Sequence, residues 1–275
     1  MNLATIYGSS ESFNGESLEN FGLSAGFHAA LSARYAFTDR LGVMGEFMFS
    51  QKGVQYRYEG QGTQILLFDN NGVERSVGAT GDRRITINVT NNYIEIPIMG
   101  YFKATDNIEL HFGAYAGFLV SSKATGDREL TGTFTSGATT IELDNFSQNL
   151  DFNYLSNEPG RTNNENTIAL TSNGNPVLGL AEVPESPGAY FDFTEKEGNF
   201  YKGFDFGALF GVAYIFDSGL NFQLRASHSL LDQSNDFFDR SNIETAETEL
   251  GNVIPVARSD RDSNLTFQFS VGFGF

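Results

Sequence analysis

Apolar side chains recur at every second position of this chain over stretches longer than an ordinary strand of about five or six residues. From Phe21 to Phe37 every odd position is apolar, while the even positions carry Gly, Ser, Ala, His and Arg. Period two is the spacing of a β-strand, because successive side chains point to opposite faces. The pattern therefore predicts an all-β chain of long, two-faced strands, and it recurs over 108–122, 200–216, 220–230 and 265–275.

Two further predicted strands, at 41–58 and 84–102, alternate less regularly. The isoleucine and valine residues of the second occupy odd positions first and even positions later: Ile85, Ile87 and Val89, then Ile94, Ile96 and Ile98. A β-bulge shifts the parity of a strand, because it inserts one unpaired residue. We therefore predict a bulge near 90–92.

The predicted connections alternate between short and long. Short turns follow Phe37, Phe102 and Phe216, and long polar loops lie at about 8–20, 59–83, 125–199 and 232–262. Outer-membrane barrels have tight periplasmic turns and long extracellular loops. With Asn2 to Tyr7 as a strand, the chain is predicted to be one domain, 1–275, folded as an eight-stranded antiparallel up-and-down transmembrane β-barrel.

The two faces of the predicted strands differ in a way that identifies the surroundings. The polar face is made of Gly, Ser and Ala with single charges, as a narrow lumen requires, rather than the Lys, Glu and Thr of a face in water. The chain has 27 Phe residues, and the face of the predicted strands that carries Phe then meets lipid. A soluble lipocalin-like carrier or β-sandwich is the alternative, since both also alternate.

Five segments resemble the PorT-like outer-membrane β-barrel family of Bacteroidota: NLATIYG (2–8), GEFMFSQKGVQ (45–55), YIEIPI (93–98), GAYAGFLVSSKATG (113–126) and FDFGALFGVAY (204–214). The resemblance implies an eight-stranded outer-membrane barrel. The founding member of that family supports type IX secretion, while most members have no assigned activity. The last residue, Phe275, is similar to the terminal Phe that barrel-assembly machinery recognises. The loop 125–199 is longer than the family needs, which leaves a binding role open.

Net charge limits the possible partners. The formal charge of -17 argues against nucleic acid, which requires clustered Lys and Arg. The acidic segments 69–72, 232–239 and 260–264 could attract Ca²⁺, but none has the spacing of an EF-hand loop. We therefore expect solvated acidic loops, with no metal and no cofactor.

Catalysis would require a Ser or Asp beside one of the three histidines, His28, His111 and His228. These lie at different predicted heights or on different faces, so no triad is expected to assemble from them. We predict that the chain is not an enzyme, and a lipid-hydrolysis assay is the discriminating test.

Four charged residues are predicted to face the lumen at similar heights: Arg34, Glu46, Glu95 and Arg225. We predict that they form one ion-pair cluster. A barrel of about eight strands encloses just enough room for its own side chains, so the lumen is expected to be plugged.

The predicted function is a non-enzymatic outer-membrane barrel whose surface loops contact a partner protein, a glycan or lipopolysaccharide. Its surroundings would be outer-membrane lipid and lipopolysaccharide, and nucleic acid is not an expected partner. A passive small-solute channel is the second hypothesis.

The first predicted strand, before Gly8, is shorter than the about 9 to 11 residues that span a bilayer. The residues after Met1 also lack the basic and apolar stretches of a signal peptide. We therefore expect the natural precursor to extend upstream with further strand residues and an export signal. The DNA sequence upstream of the Met1 codon tests this expectation.

Overall fold

The computed structural model describes the whole chain except residues 71–72, 137–138, 157–164, 173–174, 185–186, 192, 194, 248–252, 259 and 275; for strand residues 64–79, 131–146, 165–184, 247 and 253 it describes the backbone only. Phe275, the predicted assembly signal, lies outside the described residues. Among the described residues, no helix is long and apolar enough to cross a membrane.

The described part of the chain is built from β-strands. These are β1 (Asn2–Tyr7), β2 (Ser12–Phe13), β3 (Glu16–Ser17), β4 (Glu19–Gly26), β5 (His28–Ala36), β6 (Leu41–Asn70), β7 (Val73–Lys103), β8 (Ile108–Ser136), β9 (Thr139–Asn153), β10 (Glu165–Ser172), β11 (Asn175–Pro184), β12 (Phe204–Ile215), β13 (Leu220–Ser229), β14 (Arg240–Glu247), β15 (Val253–Ala257) and β16 (Ser263–Phe273).

Eight strands form a closed antiparallel ring, which confirms the predicted barrel. β4 and β5 act as one strand interrupted at Phe27, since both pair with β6. From there the ring runs through β6, β7, β8, β12, β13 and β16. β1 completes it by pairing with β16 on one side and β4 on the other. Short turns join β5 to β6, β7 to β8 and β12 to β13, as expected for the periplasmic end.

The outer face of the barrel carries a belt of exposed apolar side chains. Leu31 is 79% exposed, Phe112 74% and Ile98 60%. Met99 and His111, on the other parity of β7 and β8, are buried in the lumen. A continuous apolar face of this size is stable only against lipid or a partner surface.

Above this belt the barrel wall continues into the extracellular space. β6 and β7 pair as far as Asn70 and Val73, and β8 continues to Ser136 with β9 alongside. Much of the predicted loops 59–83 and 125–199 is therefore strand, which corrects the prediction. The physical reason is that an extended hairpin satisfies its backbone hydrogen bonds in water as well as in lipid, so a polar sequence does not end it.

The change of parity in β7 has a different cause from the predicted one. Odd positions of β7 face inward above and below the change: Ile85 is 5% exposed and Met99 0%. The apolar residues change face because the surroundings of the strand change from water above to lipid below. A register shift does occur between Asn92 and Tyr93, but Val120 of β8 is the extra residue, since Asn92 pairs with Ser121 and Tyr93 with Leu119.

Candidate functional site

The middle of the lumen is crossed by a buried polar network around Asp205. Lys52 of β6 lies between Glu95 of β7 at 2.5 Å and Asp205 of β12 at 3.2 Å. All three side chains are almost fully buried. The Asp205 carboxylate also accepts hydrogen bonds from Ser229 at 2.7 Å, Tyr115 at 3.1 Å, Gln233 at 3.1 Å and Asn264 at 3.3 Å.

We call Lys52, Glu95, Tyr115, Asp205, Ser229 and Gln233 the Asp205 network. Its members come from five consecutive strands of the ring, β6, β7, β8, β12 and β13, and from the loop after β13, and they meet in the lumen. The Lys52 ammonium lies 4.4 Å from the centroid of the Tyr115 ring, a cation–π distance. Buried charges are stable only when paired and hydrogen-bonded. Lys52 pairs with both carboxylates, and the Asp205 carboxylate is also held by hydrogen bonds.

Two further ion pairs lie below it, towards the short turns. Arg225 donates two hydrogen bonds of 2.8 Å to the two carboxylate oxygens of Glu46, the fork geometry that guanidinium and carboxylate favour. Arg34 pairs with Glu109 at 2.5 Å, and the same carboxylate contacts His111 at 2.6 Å.

The four predicted lumen residues are thus divided among three groups rather than gathered in one. The structure pairs Glu46 with Arg225, but Arg34 contacts Glu109 and Glu95 contacts Lys52 among the described ion pairs. The alternation of the sequence assigns each residue to a face. Which side chain of another strand lies at the same height depends on the register of the closed barrel, and alternation does not specify that register.

The three histidines lie in different surroundings, but one of them has partners that we did not predict. His28 Nε2 lies 2.7 Å from Ser270 Oγ, and His28 Nδ1 lies 2.5 Å from Asn2 Oδ1. Asn2 Nδ2 donates to other groups, among them the Gln51 carbonyl at 2.8 Å, so Oδ1 is its acceptor. His28 therefore carries its proton on Nδ1 and accepts from Ser270. We expected no triad to assemble from the three histidines, and the hydrogen-bonded series Ser270, His28 and Asn2 corrects that expectation.

A cavity of about 240 Å³ lies at the extracellular end of the barrel. Its floor is a hydrophobic cluster that includes Ile6, Val54 and Val89 of the barrel wall. A lid covers it, formed by residues 187–189 and 200–201 and by the segment 238–242. The first lid segment follows β11, which pairs with the extension of β6, and the second follows β13. Both strands end at the extracellular end of the barrel, so the segments that follow them lie over the cavity.

Aromatic contacts hold the lid on the barrel. Tyr190 is fully buried, and its hydroxyl donates to the Tyr154 carbonyl and accepts from the Phe200 amide at 2.8 Å. Its ring lies 4.8 Å from that of Phe238, in an edge-to-face arrangement. Tyr154 and Tyr201 make a similar contact at 5.1 Å. Such pairs contribute about 0.5 to 1.5 kcal/mol each beyond the burial of their area.

Arg258 connects the lid segments to the barrel wall. It lies 3.1 Å from Glu19 at the start of β4 and 2.6 Å from Asp260, with Asp239 at 4.0 Å. Burial, a hydrogen bond with Asp260 and the nearby negative charges raise the pKa of Asp239 to about 8. Hydrogen bonds from Asp239 and Ser9, with the Arg258 charge, lower the pKa of Asp260 despite its partial burial. The two carboxyls therefore share one proton near neutral pH.

The predicted acidic segments 232–239 and 260–264 meet in this region. Two of their carboxylates pair with cations: Asp260 contacts Arg258, and Asp232 contacts Lys202 at 2.6 Å. No group of three or more metal-ligating side chains occurs in the described part of the chain. The third acidic segment, 69–72, has no described side chains.

The comparisons with known proteins agree with this architecture. The family model "Outer membrane protein beta-barrel domain" matches residues 3–235. The chain belongs to this family. As an outer-membrane β-barrel of bacteria, it places its belt of exposed Phe and Leu side chains in the lipid. Neither the curated proteins nor the solved structures gave a significant match.

Proposed function

We propose that this outer-membrane barrel is plugged and non-enzymatic, and that it acts through its extracellular end. The observation that carries the proposal is the Asp205 network, whose charged members Lys52, Glu95 and Asp205 are at most 2% exposed. A solute that crossed the lumen would have to separate a buried ion pair. The runner-up, a passive small-solute channel, requires an open path at this height.

Planar-bilayer recording tests the plug. We expect no stable conductance from the refolded protein, and we expect conductance to appear in the Lys52→Ala/Asp205→Ala variant, which removes two side chains from the network. A matched control is Lys123→Ala, because this lysine is exposed on the outer side of β8. Large, stable, porin-like conductance of the unmodified barrel would overturn the proposal.

We further propose that the extracellular end binds a partner protein, a glycan or lipopolysaccharide. The wall extends above the lipid belt as paired strands, and these give the molecule a structured surface outside the membrane. A photo-crosslinking residue at Asn88, exposed on this extension, should capture the partner from native outer membranes. The same residue at Phe112, in the lipid belt, is the control; equal products at both sites would contradict an extracellular partner.

A role in type IX secretion is a narrower proposal, supported by the resemblance to the PorT-like family. Deletion of the gene should then leave outer-membrane assembly intact but reduce the secretion of proteins that carry type IX signals. Normal secretion by the deletion strain would exclude this role.

Ester hydrolysis is a second candidate function, favoured by one observation. Ser270, His28 and Asn2 form a hydrogen-bonded series in the order of nucleophile, general base and orienting group. His28 lies 2.7 Å from the Ser270 hydroxyl and 2.5 Å from the Asn2 side-chain oxygen. The test is hydrolysis of phospholipid and of a 4-nitrophenyl ester by the refolded barrel. Activity that is lost in Ser270→Ala would establish it, and equal rates for the two proteins would exclude it.

A further inference from the structure

The extracellular cavity has the size of a site for a small molecule. Its volume, about 240 Å³, lies just below the range of about 300 to 1,000 Å³ of most ligand pockets. It is bounded by the barrel wall below and by the lid above. A compact ligand, or one end of a longer one, fits this space.

The lining of the cavity is mainly apolar. Besides the floor of Ile6, Val54 and Val89, aromatic rings from wall and lid contribute to it, among them Phe152 and Phe200. Water over the apolar floor lacks hydrogen-bond partners, so an apolar group that displaces it is favoured. The lining therefore selects a ligand with an apolar body.

The charges around the cavity differ from those of the whole molecule. Of the 24 described residues that line it, four are arginines and three are acidic, whereas the whole chain of 275 residues has 17 Lys and Arg against 34 Asp and Glu. Basic residues are enriched there and acidic residues are not. The four arginines are Arg83, Arg128, Arg240 and Arg258, and the last of these pairs with Glu19 and Asp260.

One of the three acidic residues, Asp239, carries less negative charge at neutral pH than an ordinary aspartate. Asp239 faces Asp260, Asp262 and Arg258, and its burial beside two carboxylates raises its pKa to about 8. It is therefore mostly protonated at neutral pH. The wall is more favourable to an anion than a count of its acidic residues indicates.

We propose that this cavity binds a small amphiphile with an apolar body and one anionic group, such as a carboxylate. The apolar body lies on the floor and the anionic group faces the arginine side chains, whose guanidinium matches a carboxylate in charge and shape. This inference goes beyond the proposed function, which concerns the plug and a surface partner.

The chain offers a clean reporter because it contains no Trp. Phe200→Trp places a single indole in the cavity wall, while Phe206→Trp places one in the lipid belt as a control for partition into the bilayer. Both proteins are reconstituted in phosphatidylcholine nanodiscs, whose lipid has no net charge. Decanoate, 1-decanol and decylammonium are titrated against each as probes of one chain length and different charge.

We expect a saturable change of indole emission in Phe200→Trp, with decanoate binding at least about 10-fold more tightly than decylammonium. Phe206→Trp should show only unsaturable partition. Equal affinity for decanoate and decylammonium would overturn the charge assignment, and the same response in both reporter proteins would overturn the site.

Two neighbouring arginines provide a matched pair of variants. Arg83 of β7 lines the cavity, whereas Arg84 points outward and pairs with Glu59 at 3.1 Å. In the Phe200→Trp background, Arg83→Met should weaken decanoate about 5- to 10-fold and leave 1-decanol unchanged, while Arg84→Met should alter neither. An equal loss in the two variants would refute a specific role of the cavity. If Arg83→Met does not fold, the comparison of decanoate with decylammonium decides alone.

Discussion

Replacement of Lys52 by Met is the sharpest test of the buried network that closes the lumen. Met retains most of the length of the side chain and removes only the ammonium group. The substitution leaves Glu95 and Asp205, both almost fully buried, without the cation that lies 2.5 Å and 3.2 Å from them. Removing one partner of a buried ion pair costs about 3 to 5 kcal/mol, and here two carboxylates lose the same partner. We expect the free energy of unfolding to fall by at least about 3 kcal/mol.

The assay is equilibrium unfolding of the refolded barrel in urea, followed by circular dichroism and by heat-modifiable migration in a gel. Lys123→Met is the control, because a change at an exposed position alters stability by about 0.5 kcal/mol or less. The triple variant Lys52→Met/Glu95→Gln/Asp205→Asn should regain much of the loss, since no uncompensated charge remains. A single variant within about 1 kcal/mol of the unmodified protein would refute the reasoning.

Three further predictions follow from separate parts of the structure. Because the chain has no Cys, Asn88→Cys should react with a membrane-impermeant maleimide on intact cells and Asp106→Cys, in a short turn, should not; the opposite result would reverse the orientation. Arg225→Met should destabilise the barrel in urea by about 3 to 5 kcal/mol, since it strands buried Glu46, and a neutral result would contradict their pairing. The pKa of Asp239, raised from an ordinary 3.8 to about 8, means that the native state holds a proton that the unfolded state releases, so stability should fall as pH rises from about 4 to about 8. Asp239→Asn should flatten that slope in urea titrations at several pH values, and an unchanged slope would assign it to other groups.

Part of this molecule could be predicted from the sequence because the information is local. Strand alternation depends only on which face of a short segment meets lipid, so Phe21 to Phe37 and Phe204 to Phe216 already indicate the lipid-facing side. The short turns and the even number of strands then favour a closed antiparallel ring. The ring of eight strands confirms both steps.

The same local signal was interpreted wrongly where the surroundings change along one strand. Ile85 and Val89 face inward, while Ile96 and Ile98 face outward. The sequence contains this inversion as a change of parity, which also fits a bulge. Only the height of each residue relative to the lipid belt distinguishes the two, and that height depends on the whole barrel.

The partners of the lumen charges and the extracellular cavity were decided by the tertiary structure alone. Lys52, Glu95 and Asp205 belong to three strands, and their side chains meet because barrel closure sets the register between those strands. Arg83 of the wall and Arg240 of the lid line the same cavity, although they are far apart in the sequence. Alternation states which way each side chain points, but it carries no information on which distant side chain lies opposite. That is why the sequence determined the barrel and its faces, and the folded chain determined its interior contacts.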